Sequence, residues 1–346
     1  MSEWIASGRP QAGFYDHRLS IVELCRDYLR FAKLYYASGG RTTGELHPIK
    51  AMIKILRTHY GRIQAVDFGP LSLKSLREKM IDKGWSRSTI NQQVQRIKRM
   101  FRWAVSEEKL PPETMQALSA VDGLRAGRSR AREPRKILPI DDAMVNRTLP
   151  FLSPIVADMV RLQRLTGTRP EEICNIRPCD LDRSGDVWIY RPPSHKNLHK
   201  GLDRTIHIGP QGQAILAKYL DRDPETHCFS ASESETERRQ RQHASRRTPL
   251  NAGNRPGTNC RANPKRTAGT KYATASYRRA IARACTAAKI PIWGPNRLRH
   301  SAATEIRRRF GLEASQVVLG HTNAAVTQIY AERDFKLAES VMRELG

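Results

Sequence analysis

The fold is decided by residues 295–334, which read PNRLRHSAATEIRRRFGLEASQVVLGHTNAAVTQIYAERD. Pro295 suits the start of a helix, and the apolar spacing of residues 301–310 is typical of a half-buried helix. Gly311 is expected to end this helix and Gly320 to end a second, shorter one, because glycine readily takes the left-handed conformation of a C-cap. The pattern predicts short helices separated by tight turns.

This stretch brings together side chains that are chemically distinctive. His321 lies in the second turn, and Asn323 is a good N-cap for a third helix, which ends near Tyr330. With Arg299 and His300 on the first helix, a cation, an imidazole and a phenol can meet on one surface. Such a set suits attack on a phosphodiester, since a tyrosine hydroxyl needs positive charge and hydrogen-bond donors around the phosphate. A second arginine is expected elsewhere, because guanidinium groups fit two phosphate oxygens at once.

The second arginine is found in residues 165–173, LTGTRPEEI. An apolar helix is predicted for residues 154–165, broken by the Thr-Gly pair that follows. Thr168 and Glu171 match a capping box for a new helix. Arg169 would then lie at a helix start, where unpaired backbone N–H groups also favour phosphate.

These motifs, in this order, resemble the catalytic domain of the tyrosine recombinases, the phage integrase family. The resemblance covers roughly residues 140–335 and rests on LTGTRPEEI, LRH, LGH and a tyrosine nine residues after the last histidine. It implies that Tyr330 is the nucleophile and that two arginines, an accompanying acid and a histidine support it. In chain order these fall on Arg169, Glu172, Arg299 and His321.

A β-hairpin is predicted from the strand formers of residues 186–191, DVWIYR, and 204–208, RTIHI. The resemblance implies that a lysine in this hairpin protonates the leaving 5′-oxygen. The turn offers Lys196 and Lys200. Lys196 is favoured because it follows the first strand as the family lysine does, and Lys200 is the alternative.

One position departs from the family pattern. The second motif of the family usually begins with histidine, whereas this chain has Asn296. An asparagine can donate a hydrogen bond to a phosphate oxygen but cannot accept a proton at neutral pH. Either His300 or His321 compensates, or the proton goes to water, or the enzyme is slow.

Composition indicates a polyanionic partner. The 346 residues include 60 Lys and Arg against 34 Asp and Glu, a net charge of +26. The alternatives for so basic a chain are a ribosome-associated or a membrane-surface protein. The six cysteines lack a CxxC pair or any metal-ligand spacing, so no metal site is expected. Without an apolar run of roughly 20 residues or a secretory segment, a cytoplasmic, nucleoid-associated protein is expected.

The predicted fold class is mostly α with a small β-sheet in the catalytic domain, an α+β architecture. Helical signals followed by Gly or Pro divide the N-terminal third into several helices. Residues 238–304 contain sixteen Lys and Arg but no acid, and the first part of this run is low in apolar residues, which indicates a basic insertion in the catalytic domain. We predict a flexible N-terminus (1–18), a helical core DNA-binding domain (19–121), a basic linker (122–138) and a catalytic domain (139–346) with a basic, disordered insertion (231–270).

Basic residues outside the catalytic set are candidate DNA contacts. Residues 88–108 form an amphipathic helix with arginines opposite its apolar stripe, and the resemblance implies a core-binding domain here. The alternatives are a solvated helix face and a linker that only aids solubility. The predicted contacts are Arg96, Arg99 and Arg102 on this helix, Arg130 and Arg132 in the linker, and Lys200, Arg297 and His300 in the catalytic domain.

The resemblance implies a site-specific recombinase that cuts and rejoins double-stranded DNA through a 3′-phosphotyrosine link, for integration or excision of a mobile element. It implies a homotetramer on DNA and no metal or other cofactor. Two alternatives stay open. A type IB topoisomerase would use the same chemistry as a monomer, and a catalytically weak DNA-binding regulator would account for Asn296.

Overall fold

The computed structural model describes residues 18–38, 41–42, 44–193, 203–249, 251, 267–320 and 342–343. The chain divides into two compact units, Met1–Lys136 and Ile137–Gly346, each with its own buried apolar core. The described residues are mostly α-helical, with a small sheet in the second unit, as predicted. None of the helices in these ranges has the length and apolar character needed to cross a membrane.

The first unit is built from helices around one core. Its first helix begins at the predicted capping box, where Ser20 Oγ accepts a hydrogen bond from Glu23 N (3.3 Å) and the Glu23 carboxylate accepts one from Ser20 N (2.9 Å). The described elements are α1 (Ile21–Tyr35), β1 (Ala37–Ser38), β2 (Arg41–Thr42), α2 (Leu46–Tyr60), α3 (Pro70–Asp82), α4 (Arg87–Ser106) and α5 (Pro112–Ser119).

The basic segment that follows α5 does not form the free linker that its composition predicts. Leu124 N donates to Asn91 Oδ1 (2.8 Å), and Asn91 Nδ2 donates back to Leu124 O (3.0 Å), so the segment is held against α4. Ala131 is buried in the first core, and Arg87 N donates to Arg132 O (2.8 Å). A few specific contacts therefore order a segment that is mostly charged.

The second unit packs its helices around α7 and a three-stranded antiparallel sheet. Helix α7 is buried along most of its length, including Ile155, Val156 and Val160. The described elements are α6 (Asp142–Thr148), α7 (Pro154–Thr166), α8 (Pro170–Cys174), β3 (Leu181–Asp182), β4 (Trp188–Tyr190), β5 (Ile206–Ile208), α9 (Pro210–Ala217), α10 (Ala231–Ala244), α11 (Thr274–Ala287) and α12 (Asn296–Leu319).

The predicted hairpin is confirmed by the pairing of β4 with β5, in which Trp188 is opposite Ile208 and Tyr190 is opposite Ile206. Strand β3 adds to the other edge of β4 and was not predicted, because two residues give too short a pattern. The turns expected in the last motif are also present. Gly311 interrupts α12 with φ 86°, and Gly320 ends it in the left-handed conformation with φ 63°.

The prediction that residues 231–270 form a disordered insertion is wrong for residues 231–244, which form helix α10. Ser230 Oγ caps the helix by accepting from Glu233 N (3.3 Å). One turn further, the Glu235 carboxylate accepts from Arg238 (2.8 Å) and Arg239 (2.9 Å). Capping and ion pairs spaced three and four residues apart stabilise a helix without an apolar face, which composition alone does not reveal.

Candidate active site

The turn between α7 and α8 is the centre of the candidate site. Helix α7 ends at Gly167, whose φ of 64° is left-handed. Thr168 is 1% exposed, and its carbonyl accepts a hydrogen bond from Gln163 Nε2 (3.0 Å). Gln163 Oε1 in turn accepts from the buried hydroxyl of Tyr277 (2.9 Å) on α11. This buried polar chain fixes the backbone of the turn from the side of the core.

Arg169 is the N-cap of α8 and is bound at two points by Glu172. Glu172 Oε2 accepts from Arg169 N and Glu172 Oε1 accepts from Arg169 Nη1, both at 2.7 Å. The predicted capping box, Thr168 with Glu171, is wrong by one residue because the helix begins at Pro170. The Arg169 side chain is 25% exposed and that of Glu172 only 3%, so a buried carboxylate holds a guanidinium that reaches solvent.

Arg204 is the site residue that the sequence interpretation missed. Its Nε lies 3.4 Å from the same Glu172 Oε1, and its side chain is 3% exposed. Its Nη1 donates to the carbonyls of Thr205 and Val318, both at 3.3 Å. The pattern that could have found it is strand alternation. Arg204 is two residues before the buried Ile206, so in an extended chain both side chains face the core.

The charges around Glu172 keep it ionised. Burial alone would raise the pKa of Glu172, but the Arg204 charge, together with the N–H and charge of Arg169, outweighs burial and lowers that pKa below its usual value. Burial lowers the pKa of Arg204, and the Glu172 charge partly offsets this effect. The cluster therefore places one buried carboxylate between two guanidinium groups, one buried and one that reaches solvent.

Arg299 connects the three sequence motifs. From the first part of α12 its Nη1 donates to Gly167 O (2.6 Å), and its Nη2 donates to Leu319 O (2.8 Å) in the last turn of the same helix. The guanidinium is 1% exposed and faces these backbone carbonyls. Of the two arginines expected to bind the phosphate, Arg169 is the more accessible in this arrangement.

Gly167 explains why these elements approach so closely. A Cβ atom at Gly167 would lie 2.8 Å from Leu319 Cδ2 and 3.3 Å from Ala302 Cβ. Only glycine satisfies both the left-handed φ and this contact between α7 and α12.

The other residues predicted near the second motif take different positions. Asn296 is half-buried at the first residue of α12. Arg297 donates to the carbonyls of Leu138 (2.8 Å) and Pro139 (2.7 Å), and His300 is 3% exposed. The DNA contacts of Arg297 and His300 stay predictions, and in this arrangement Arg297 is bound to backbone carbonyls and His300 is buried.

On α4 the predicted DNA contacts are not equivalent. Arg96 is 12% exposed and binds Glu45 through two hydrogen bonds of 2.9 and 3.1 Å. Arg99 donates to Tyr36 Oη (3.0 Å) and to Glu45 (3.4 Å). Arg102 is exposed. Arg96 is therefore already engaged within the first unit, and Arg102 is the best placed for an external anion.

In the segment after α5, Arg130 is 76% exposed and pairs with Glu78 (3.3 Å) and Asp82 (3.8 Å). Arg132 is exposed, and its Nε lies 3.5 Å from Gly84 O. These weak surface contacts leave both side chains accessible.

Four predicted residues lie outside the described residues: Lys196, Lys200, His321 and Tyr330. Across the described ranges, no three His, Cys, Asp or Glu side chains are close enough to hold a metal ion together.

Comparison with known proteins identifies the family. The sequence model of the phage integrase family matches residues 143–336. Tyrosine recombinase XerC of Thermodesulfovibrio yellowstonii is 22% identical over 284 residues, which are 80% of this chain and 82% of XerC.

Solved structures share the fold over nearly the whole chain. The Tn1549 transposon integrase, in complex with a circular intermediate DNA, is 15% identical with a TM-score of 0.61, covering 94% of this chain and 99% of that one. A lambda integrase tetramer bound to a Holliday junction is 14% identical with a TM-score of 0.63, and the match covers 96% of this chain and 85% of that one. The chain therefore belongs to the phage integrase family of tyrosine recombinases, a class of enzymes that cut and rejoin DNA.

Proposed function

We propose that this protein is a site-specific recombinase that cuts and rejoins double-stranded DNA through a 3′-phosphotyrosine intermediate, for the integration or excision of a mobile element. The observation that supports this most is the position of Arg299. Its hydrogen bonds to Gly167 and Leu319 join motifs that are more than a hundred residues apart in sequence.

In the proposed reaction the Tyr330 hydroxyl attacks the scissile phosphate. Its proton passes to His300, to His321 or to water, because the amide of Asn296 cannot accept it. The bond from phosphorus to the 5′-oxygen breaks as the bond to the tyrosine oxygen forms, and Lys196 protonates the departing 5′-oxygen, with Lys200 as the alternative acid. The phosphodiester energy is retained in the covalent link, so rejoining needs neither a nucleotide nor a metal ion. His321 supports the transition state.

The described residues contribute positive charge and order to this step. Arg169 presents a guanidinium that Glu172 holds in place and that reaches solvent, which suits it to contact a phosphate oxygen. Arg299 fixes the turn behind Arg169 and adds a second positive charge. Preorganised charge of this kind stabilises a transition state without reorganisation at the moment of reaction.

A DNA partner is supported by the net charge of +26 and by the structural relatives. The Tn1549 integrase is bound to DNA, and the lambda integrase is a tetramer on a Holliday junction. Four protomers of this chain on two duplexes are part of the proposal. Exposed arginines such as Arg102 and Arg130 would bind phosphates without reading bases.

The second candidate function is a catalytically weak DNA-binding regulator, and Asn296 favours it. An amide in place of the family histidine removes a group that could exchange a proton near the phosphate. The regulator predicts tight, salt-sensitive DNA binding that does not change in Tyr330→Phe, with no covalent product from either protein.

A covalent-adduct assay tests the proposal. Nicked duplexes tiled across the DNA that flanks the gene are incubated with wild type and with Tyr330→Phe in EDTA, and protein–DNA adducts are separated under denaturing conditions. The proposal expects an adduct with wild type alone. Binding without an adduct across all duplexes would favour the regulator, and Asn296→His would then be the variant to test.

A further inference from the structure

Arg204 is the residue in the site that has no assigned role. It lies two residues before β5, its side chain is 3% exposed, and it faces a carboxylate at 3.4 Å. Guanidinium groups are rarely buried to this extent, because the charge loses its hydration. So costly a buried charge in the cluster that holds Arg169 calls for a function that packing alone does not explain.

The contacts of Arg204 connect two parts of the site. On one side its Nε shares Glu172 Oε1 with Arg169 Nη1, so the two guanidinium groups hold one carboxylate oxygen between them. On the other side its Nη1 donates to Val318 O in the last turn of α12. Arg204 therefore binds the acid that orients Arg169 and also the end of the helix that leads to the third motif.

Gly320 shows that this contact is tight. A Cβ atom at Gly320 would collide with Arg204 Nη1 and would lie 3.2 Å from its Cζ. Gly320 also has a φ of 63°, so both the backbone conformation and the Arg204 guanidinium exclude a side chain here. Gly320, which ends α12, therefore lies directly against the arginine.

Arg204 Nη2 is buried and has no hydrogen-bond acceptor among the described residues. An unsatisfied buried donor destabilises the fold, and such groups cluster where function requires them. Because the nitrogen is shielded from solvent, Arg204 cannot reach a DNA phosphate in this arrangement and must act through its neighbours.

We propose that Arg204 is a positioning residue for phosphate cleavage. It fixes Glu172, which orients the Arg169 guanidinium toward the phosphate. It also holds the last turn of α12 in place through Val318 O. This inference rests on the proposed function. Loss of Arg204 is expected to slow the cleavage step and to leave DNA affinity nearly unchanged, because Arg204 itself does not touch DNA.

The test uses single-turnover cleavage of a nicked duplex by the full chain at saturating enzyme. Arg204→Gln is compared with Arg204→Lys and with a matched control, Arg191→Gln, which alters an arginine beside the same sheet that is 60% exposed and 3.5 Å from Asp182. We expect Arg204→Gln to cleave about tenfold more slowly or worse, Arg204→Lys to recover part of the rate, and Arg191→Gln to match wild type.

A second substrate separates positioning from general damage. In a duplex with a methylphosphonate at the scissile position, the reacting group lacks the negative charge that Arg169 neutralises. If Arg204 acts through Arg169, Arg204→Gln and wild type cleave this duplex at similar rates. A defect of equal size on both substrates, with a lower melting temperature, would make Arg204 merely structural and overturn the inference, as would normal cleavage of the phosphate by Arg204→Gln.

If Arg204→Gln does not fold, Gly320→Ala, which displaces the same guanidinium, serves as the second variant and is expected to show the same dependence on substrate. Equal rates of Gly320→Ala and wild type on the phosphate duplex would contradict the inference. Wild type itself is the control for the function. If wild type forms an adduct and the Arg204 variants cleave normally, only the inference is contradicted. If wild type forms no adduct on any duplex, the proposed function is contradicted as well.

Discussion

Each unit of this protein places one carboxylate between two arginines, but in different surroundings. In the second unit Glu172 is 3% exposed and lies between Arg169 and Arg204. In the first unit the side chain of Glu45 is 29% exposed and lies between Arg96 and Arg99. One glutamate and two arginines therefore form a buried cluster in one unit and a partly solvated one in the other.

The surroundings decide what each cluster can do. Removing a partner from a buried pair leaves an uncompensated charge, so the Glu172 cluster is suited to hold a fixed geometry. A partly solvated pair contributes less because water and salt screen it, so the Glu45 cluster depends less on each of its partners. We infer that the buried cluster serves the chemistry, whereas the Glu45 cluster holds Arg96 within the first unit.

The largest effect is expected from removing the two carboxylates in turn. Glu172→Ala should lower the free energy of unfolding of the second unit by about 3 to 5 kcal/mol, because it leaves the buried Arg204 charge without a partner. Glu45→Ala should change that of the first unit by at most about 1 kcal/mol. Chemical denaturation of the variants and wild type measures both, and equal losses would remove the distinction between the clusters.

The next effect concerns the glycines that permit close packing. Gly167→Ala introduces a left-handed alanine, at about 1 to 2 kcal/mol, and a contact with Leu319 that adds about 1 to 3 kcal/mol. Gly84→Ala is the matched control in the first unit, since Gly84 has φ 72° with nothing within 4 Å of its added Cβ. Denaturation curves should show the larger loss for Gly167→Ala, and a loss no greater than that of Gly84→Ala would mean that the contact with α12 is not tight.

A smaller effect is expected on DNA binding. Arg102→Ala should reduce the slope of log affinity against log salt by about 0.9, the contribution of one neutralised phosphate. Arg297→Ala should leave the slope unchanged, because that guanidinium donates to the carbonyls of Leu138 and Pro139. Fluorescence anisotropy over a salt series distinguishes the two variants, and a reduced slope for Arg297→Ala alone would reverse the assignment.

The smallest effect is expected from lowering the pH, because the fold keeps its carboxylate stabilisation until the pH approaches the carboxyl pKa values. The pKa values of Glu172 and Glu45 are both lowered in the folded state, the latter chiefly by the hydrogen bond from Arg96. A carboxyl with a lowered pKa stabilises the fold above its unfolded value, usually 4.5, and this stabilisation is lost as pH falls through the folded value. Wild type should therefore lose more stability than Glu172→Gln between neutral and acid pH, as followed by denaturation, and parallel losses would show that Glu172 does not titrate as described.

Local patterns predicted much of this fold. The strand formers in residues 186–191 and 204–208 predicted the β4–β5 hairpin, and the Ser20 capping box predicted the start of α1. The positive φ of Gly311 and Gly320 follows from residue type. In each case the deciding interaction lies within a few residues, where sequence spacing reflects geometry.

Contacts between segments that are distant in the sequence could not be predicted from these local patterns. Arg204 binds Val318, which is 114 residues away, and Asn91 orders Leu124 across the end of α4. No local signal distinguishes Arg96, held by Glu45, from the exposed Arg102 one turn and a half later on the same helix. Tertiary partners therefore decide which basic residues are engaged within the protein and which remain accessible.

The most direct test of the central claim compares Arg169→Ala with Arg102→Ala in single-turnover cleavage and in DNA binding. The account predicts that Arg169→Ala cleaves about ten- to a hundredfold more slowly or worse at saturating enzyme, since a charge-assisted hydrogen bond to the phosphate is lost, with little change in affinity. Arg102→Ala should bind more weakly and cleave normally once saturated. Normal cleavage by Arg169→Ala would contradict the account, because the buried cluster would then not be the site of the chemistry.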